Sequence, residues 1–114
     1  MTKLVHFELT SADAEMTAKF YSDILGWTAE PSPFVPDYQL LTGENGATGA
    51  VMSDRYQSQP AILWFEVPDI DLALTAIAGN GGKQAGDINT IPGQGRVVYV
   101  SDPNGTLFGL KQPQ

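Results

Sequence analysis

The sequence contains no cysteine, a single histidine and no long apolar run, and each shortage narrows the functions open to it. Without cysteine there are no disulfides, thiolate metal sites or thiol nucleophiles, and we expect a reducing, cytoplasmic location. No apolar run approaches the roughly 20 residues that span a bilayer. The first residues alternate instead of forming a signal-peptide block. We therefore expect no membrane partner.

Basic residues are also scarce, and this gives the chain a strong acidic excess. Thirteen Asp and Glu stand against six Lys and Arg, a formal net charge of −7. Because such a surface repels phosphate backbones, we expect no nucleic-acid partner. A surface of this kind serves solubility in many proteins. It also suits a cationic ligand, and the composition leaves both interpretations open.

The length and the hydrophobic content predict one globular domain, residues 1–114. The chain has 114 residues, of which 42% are hydrophobic, with five Phe, four Tyr and two Trp. This is enough for one packed interior and too little for two independent cores. We therefore expect one fold and one main site.

The N-terminal segment has the two-residue period of a half-buried strand. Val5, Phe7 and Leu9 fall on one side, and His6 and Glu8 fall on the other. A polar residue facing away from an apolar strand face is available to a binding site. The period therefore makes His6 and Glu8 the first candidate site residues.

A helix is predicted next, with Ser11 or Asp13 as its N-cap and Gly26 as its end. Apolar residues recur through it at helical spacing: Met16, Phe20, Tyr21 and Ile24. We expect Phe20, Leu25 and Trp27 to pack the helix end against a sheet. Strands are predicted after it at residues 27–30, 38–42 and 47–52.

The second half of the chain repeats this order of elements. A strand at residues 62–67 precedes a helix capped by Asp69 or Asp71, and strands follow at residues 83–88, 96–101 and 106–111. Residues 6–9 align with residues 64–67, and residues 45–51 align with residues 104–110. Two matches in the same order indicate an internal duplication. The sequence therefore predicts two tandem βαβββ modules, residues 3–52 and 61–111, that share a concave surface.

Four short segments resemble motifs of the vicinal oxygen chelate superfamily, which includes glyoxalase I, bleomycin-binding proteins and extradiol dioxygenases. They are, in order, residues 5–9, residues 20–27 (Phe-Tyr-Ser-Asp-Ile-Leu-Gly-Trp), residues 67–69 (Val-Pro-Asp) and residues 102–105 (Asp-Pro-Asn-Gly). The resemblance covers nearly the whole chain. It implies the α+β glyoxalase/bleomycin-resistance/dioxygenase fold, in which a curved mixed sheet surrounds one cavity. It also implies a homodimer.

The resemblance further implies where a metal would be bound, with one ligand on the first strand and one on the last strand of each module. His6 stands at the first of these positions. The other three hold Ile62 or Trp64, depending on the alignment, then Ala50 and Gly109. Catalytic zinc or iron sites normally need about three protein ligands. We therefore predict no metal site and no cofactor, and no metal-dependent chemistry.

The predicted cavity is aromatic and acidic, and suits a flat or partly apolar ligand that carries cationic or hydroxyl groups. The candidate ligand-binding residues are His6, Glu8, Trp27, Tyr38, Met52, Trp64, Glu66 and Tyr99. We expect the loops at residues 31–37 and 53–60 to shape the cavity mouth. In the alternative interpretation His6 is a structural histidine, and the two glutamates are solvated or paired with Arg96 or Lys111.

Three functions remain open at this point. The first is a metal-free protein that binds or sequesters a small aromatic or cationic metabolite or drug, as the bleomycin-binding relatives do. The second is a metal-independent lyase or isomerase with His6 and Glu8 as catalytic acid and base. The third is a metal-dependent lyase of the glyoxalase type. The sequence favours the first, and does not identify the ligand.

Overall fold

The computed structural model describes residues 2–44, 46 and 48–114. By their internal contacts these residues form two compact units. The first unit is His6–Ile62, and the second combines the residues up to Val5 with Leu63–Gln114. Each unit contains one helix and a mixed sheet. Two residues of the predicted strand-and-turn repeat, Asn45 and Ala47, lie outside the described residues.

The elements follow the predicted order. They are β1 (Lys3–Ser11), α1 (Ala14–Leu25), β2 (Thr28–Pro31), β3 (Tyr38–Thr42), β4 (Thr48–Ser53), β5 (Ala61–Glu66), α2 (Ile70–Gly79), β6 (Lys83–Gln84), β7 (Asn89–Ile91), β8 (Gly95–Ser101) and β9 (Leu107–Pro113). This is the α+β class with two modules that each begin strand, helix, strand, and the fold-class prediction is confirmed. Neither helix is long and apolar enough to cross a membrane in the described part of the chain.

In the first unit the strands lie in the order β2, β3, β4, β1, and α1 packs on one face of them. β3 is antiparallel to β4, and β4 is parallel to β1. Asp13 is the N-cap, since its carboxylate accepts the Met16 backbone N–H at 3.0 Å. Gly26 ends the helix at φ 72°, a left-handed conformation that glycine adopts without strain.

The outer face of α1 differs from the sequence expectation. Met16, Phe20 and Ile24 are each more than half exposed, and Leu25 is 49% exposed. The residues buried against the sheet are small ones, Ala14 and Ala18, together with half-buried Tyr21 and Trp27. The small alanines let the helix axis approach β3 and β4 closely, so the large apolar side chains point outward. The expectation was therefore wrong for Phe20 and Leu25 and right for Trp27.

In the second unit the strands lie in the order β5, β9, β8, β6, and β7 also pairs with β8. Asp69 is the N-cap of α2, since its carboxylate accepts the backbone N–H groups of Asp71 and Leu72. The core lies between α2 and the sheet, and consists of Val67, Ile70, Val98, Val100 and Leu110 with partly buried neighbours.

The strand predicted at residues 83–88 is shorter than expected. β6 ends at Gln84, and a separate strand, β7, pairs with β8 through residues 89–91. The Gln84 side chain donates to the Gly86 carbonyl at 2.7 Å. Glycine and aspartate at residues 86–87 favour a turn over continued strand pairing. This preference accounts for the interruption between β6 and β7.

Candidate functional site

The sheet of each unit has one face covered by its helix and a second face that this helix does not cover, here called the open face. In the first unit, Phe7 and Leu9 lie in the core beneath α1. Because successive strand residues point to opposite faces, His6 and Glu8 lie on the open face. The predicted two-residue period therefore placed both candidates correctly.

Four side chains form a continuous hydrogen-bonded row on the open face of the first unit, called the polar chain below. The Tyr38 hydroxyl donates to the Glu8 carboxylate at 2.6 Å. The Tyr38 oxygen lies 3.2 Å from Nε2 of His6. Nδ1 of His6 lies 3.2 Å from Oγ1 of Thr48. The strands β1, β3 and β4 thus bring together residues up to 42 positions apart in the sequence.

Glu8 stands out because it is a charged residue in a buried position, with 3% of its surface exposed. Burial of a carboxylate is costly unless hydrogen bonds replace its lost water. A distance of 2.6 Å is typical of a hydroxyl that donates to an ionised acceptor. Tyr38 therefore compensates part of the cost of burying Glu8, and the interpretation of Glu8 as a solvated surface residue was wrong.

The strand positions beside the polar chain are apolar. Ala50 pairs in register with Glu8 on one side and with Leu40 on the other. Met52 pairs with Tyr38 and is 2% exposed. In a low-dielectric surrounding of this kind, a fixed polar group acts more strongly on its partners than it does in water.

Contacts from the following loop hold the chain segment that leads into Tyr38. Arg55 forms an ion pair with Asp37 at 2.5 Å, and the Tyr56 hydroxyl donates to the Pro36 carbonyl at 2.6 Å. A hydrogen bond with Tyr56 and the neighbouring Asp37 carboxylate raise the pKa of Arg55. The two loops predicted to shape the cavity mouth are thus joined to each other, and they fix the start of β3.

The open face of the second unit carries aromatic side chains. Trp64 on β5 and Tyr99 on β8 both pair in register with Gly109 on β9. Their ring centroids are 4.9 Å apart, with an interplanar angle of 61°. A Cβ added at Gly109 would overlap the indole ring of Trp64. Only glycine therefore fits beneath the ring of Trp64. Trp64 and Tyr99 are called the ring pair below.

The remaining candidates are placed as follows. Glu66 forms an ion pair with Lys3 at 3.4 Å, and Arg96 pairs with Asp71. Trp27 lies in the core beneath α1, with its ring centroid 6.0 Å from that of Phe7. Trp27 is therefore not on the open face of its unit, and we leave it out of the site.

A family model matches residues 3–110, and its description is the Glyoxalase/Bleomycin resistance protein/Dioxygenase superfamily. The chain belongs to this superfamily. The match covers nearly all of both modules, and it confirms the family resemblance that the four sequence motifs indicated.

Several curated proteins are similar to this superfamily member over most of its length. The putative glyoxylase CFP32 of Mycobacterium tuberculosis is 25% identical over an alignment of 114 positions, which covers 96% of this chain and 44% of the relative. A glyoxylase-like domain-containing protein of Didymella fabae is 30% identical over 89 residues, with 71% of this chain and 70% of the relative covered. The chain thus spans less than half the length of the mycobacterial relative.

Several solved structures share the fold at low sequence identity. A methylmalonyl-CoA epimerase from Mycobacterium tuberculosis superposes with a TM-score of 0.74 at 18% identity, and the match covers 97% of this chain and 87% of that one. A superfamily member from Vibrio splendidus gives a TM-score of 0.71 at 20% identity, with coverage of 98% and 99%. At these identities the likeness shows the fold alone.

The residues at the expected metal positions do not fit a metal centre. Of the four, only His6 has a side chain that binds metals, and it is hydrogen-bonded to Tyr38 and Thr48. Beside Ala50 lies Glu8, and the volume above Gly109 is taken by the ring of Trp64. Among the described residues, no three His, Asp or Glu side chains are grouped so that they would hold one ion.

One member of the polar chain, Thr48, was missed by the sequence interpretation. It is the first residue of β4 and lies two positions before Ala50, which places it on the open face. The strand period was therefore a usable signal. The pairing of β4 with β1 brings Thr48 to His6, and this pairing could not be predicted from the sequence.

Proposed function

We propose that the protein is a metal-free, small-molecule-binding member of the superfamily, which binds a small aromatic or cationic ligand at the open face of the first unit. The observation that carries this proposal is the polar chain. A buried carboxylate, a phenol, an imidazole and a hydroxyl are fixed in one row beside apolar strand positions. Ligand sites have this composition, with a few fixed polar groups in an apolar surrounding.

The charge of the chain supports a cationic ligand. The net charge is −7, and the buried group of the site is the carboxylate of Glu8. A cation that approaches this surface gains from the overall field before it makes any contact. In the second unit, taken by itself, Trp64, Glu66 and Tyr99 remain proposed ligand-binding residues, because rings bind flat cations by stacking and by cation–π attraction.

A thermal-shift screen tests this proposal directly. The purified chain is treated with excess EDTA and melted with a panel of cationic and aromatic compounds. A ligand present at 100 times its dissociation constant stabilises the folded state by about 2.7 kcal/mol, enough to raise the melting temperature by several degrees. A flat response across the panel would contradict the proposal.

Two conservative substitutions localise the binding. Tyr38→Phe removes one hydroxyl from the polar chain, and Tyr21→Phe is the matched control because Tyr21 lies on the helix-covered face of the sheet. We expect Tyr38→Phe to weaken ligand binding about tenfold, the cost of a hydrogen bond to a charged group. Equal weakening by both variants would place the ligand elsewhere.

A second candidate function is a metal-independent lyase or isomerase that uses His6 and Glu8. The specific observation in its favour is that the Tyr38 hydroxyl links the two titratable groups in one hydrogen-bonded row. Such a pair suits proton removal from a carbon next to a carbonyl. Enolisable compounds that bind are incubated in D₂O, and His6→Ala should abolish deuterium uptake while leaving binding measurable. No deuterium uptake by any bound compound would remove this candidate.

The third function, a metal-dependent lyase, requires a bound ion. Elemental analysis of protein purified without chelators decides it, since stoichiometric zinc, nickel or iron would support this function and overturn the first proposal. The homodimer remains a prediction, which light scattering after gel filtration tests. Cytoplasmic location also remains a prediction.

A further inference from the structure

We infer that Asp37 and Arg55 are positioning residues of the proposed site. Their ion pair holds the end of β3 that carries Tyr38, and it thereby sets the affinity of the site for its ligand. Neither residue belongs to the polar chain. This inference rests on the proposed function and names how the affinity of the same site is controlled.

Tyr38 lies at an end of its strand, where pairing is weakest. It is the first residue of β3 and pairs in register with Met52 of β4. The ends of paired elements open more readily than their centres. The segment before it contains Pro33 and Pro36, which have no backbone N–H to donate. Carbonyls and side chains of the preceding residues therefore take a larger part in holding this end of β3.

Asp37 makes two contacts of this kind. Its carbonyl accepts the backbone N–H of Ser53 at 2.9 Å, and its carboxylate pairs with Arg55 at 2.5 Å. Since Ser53 is the last residue of β4, the first contact extends the pairing of the two strands by one residue. The second contact ties Asp37 to the chain just beyond β4.

The backbone of Asp37 has a left-handed conformation, with φ 53°. Within the described part of the chain, Asp37 is the one non-glycine residue that has a positive φ. This conformation is unfavourable for residues with a Cβ, although less so for Asp and Asn than for others. It persists where the surroundings fix it. The ion pair with Arg55 offsets part of the cost and so favours the conformation from which the chain enters β3.

Arg55 can hold Asp37 because its own position is fixed. Its backbone N–H donates to the Ser53 hydroxyl at 3.2 Å, and its guanidinium carbon lies 5.2 Å from the centre of the Tyr56 ring. The Tyr56 hydroxyl donates to the Pro36 carbonyl at 2.6 Å. The segment after β4 thus contacts the two residues that precede β3. Exposed ion pairs contribute little to stability unless their geometry is fixed in this way.

Loss of the ion pair should act on the ligand through Tyr38. The Tyr38 hydroxyl contacts both Glu8 and His6 in the polar chain. If the end of β3 opens for part of the time, the site is complete for only the remaining fraction. The apparent dissociation constant then rises by the inverse of that fraction. Two residues outside the polar chain are therefore expected to change the affinity.

A double-mutant cycle with a ligand from the thermal-shift panel tests this coupling. Asp37→Asn removes one charge and keeps a side chain that tolerates the left-handed conformation, and Arg55→Gln removes the other charge. Each should raise the dissociation constant about threefold, the factor expected for an exposed ion pair of fixed geometry. The double variant should raise it no further. Arg55→Lys, which keeps the charge, should restore part of the affinity.

The cycle contains its own control for electrostatics. Asp37→Asn and Arg55→Gln change the net charge in opposite directions, so weakening by both excludes an effect of the overall field. Asp23→Asn and Lys19→Gln are the matched control variants, because they break another exposed ion pair, on α1 of the same unit. They should leave the affinity unchanged. Wild-type affinity in Asp37→Asn and Arg55→Gln, or additive effects in the double variant, would overturn the inference.

The ring signals of His6 report the displacement of Tyr38 without any ligand. His6 is the only histidine, so ¹⁵N NMR gives one set of ring signals, and its Nε2 lies 3.2 Å from the Tyr38 oxygen. Asp37→Asn and Arg55→Gln should shift the Nε2 signal in the same direction as Tyr38→Phe. The control variants on α1 should not. A purely structural role would lower the stability to urea and leave this signal in place, and that result would overturn the inference.

The two readouts separate this inference from the proposed function. If a ligand binds the wild type and the ion-pair variants equally, this inference is overturned and the proposed function stands. If no compound of the panel binds, the proposed function is overturned, and with it the control of affinity. A threefold weakening together with a shifted Nε2 signal supports both.

Discussion

The open faces of the two units occupy the same place in a duplicated fold and carry opposite chemistry. In the first unit the strand residue that pairs with Ala50 is Glu8, a buried carboxylate. In the second unit the residue that pairs with Gly109, the counterpart of Ala50 in the internal alignment, is Trp64. By strand register, Glu8 and Trp64 occupy equivalent positions, so one position holds a carboxylate in one module and an indole in the other. The sequence alignment of residues 6–9 with residues 64–67 was therefore wrong by two residues. The duplication sets where a side chain lies, and its identity sets what it can bind.

The largest loss of stability is expected at Gly109, which lies beneath Trp64 on the open face of the second unit. Gly109→Ala places a methyl group inside the indole ring of Trp64, so the ring pair must shift. We expect a loss of about 2–3 kcal/mol in the free energy of unfolding, typical of overpacking. Gly86→Ala is the matched control, because nothing lies within 4 Å of its added Cβ. Urea unfolding of the two variants measures the effect, and equal stability would show that the ring pair is loosely packed.

The open face of the first unit should lose stability when a single hydroxyl is removed from the polar chain. Tyr38→Phe removes a donor from the buried carboxylate of Glu8, and we expect a loss of about 2 kcal/mol in the free energy of unfolding. Tyr56→Phe, whose hydroxyl bonds at the exposed Pro36 carbonyl, should cost less than about 1 kcal/mol. Similar losses in the two variants would mean that Tyr38 does not compensate the burial of Glu8.

The smallest loss of stability is expected at the helix N-caps, which are aspartates in both modules. Asp13 accepts the backbone N–H of Met16, and Asp69 accepts those of Asp71 and Leu72, so each caps the first turn of its helix. Replacing either by Ala should cost about 1 kcal/mol, and the two losses should be equal within error. Thermal and urea unfolding compare them. If only one of the two variants lost stability, the result would contradict the view that the two modules share one scaffold.

Much of the scaffold was predictable because its signals are local. The alternation around Phe7 is read from neighbouring residues, and the structure confirms it. For each helix cap the sequence offered two candidates, and the structure has Asp13 and Asp69. The orientation of α1 was not predictable in this way. Its buried face is made of alanines, and a criterion based on large apolar residues selects the wrong side.

The site was predictable only in part because its contacts are between distant strands. His6, Glu8 and Tyr38 were found from strand period, but the bonds among them depend on the register of β1, β3 and β4. The same register decides that Trp64 covers Gly109. A single sequence contains no information on register beyond the pattern of each strand. The polar chain therefore required the structure.

The central claim is that a ligand binds through the polar chain and that no metal takes part. Calorimetry with a hit from the thermal-shift screen tests it, in excess EDTA and again after dialysis against zinc or nickel, on the wild type and on Tyr38→Phe. The account predicts the same dissociation constant with and without metal, and about tenfold weaker binding by Tyr38→Phe. Binding that appears only with the metal, and that Tyr38→Phe leaves unchanged, would contradict it.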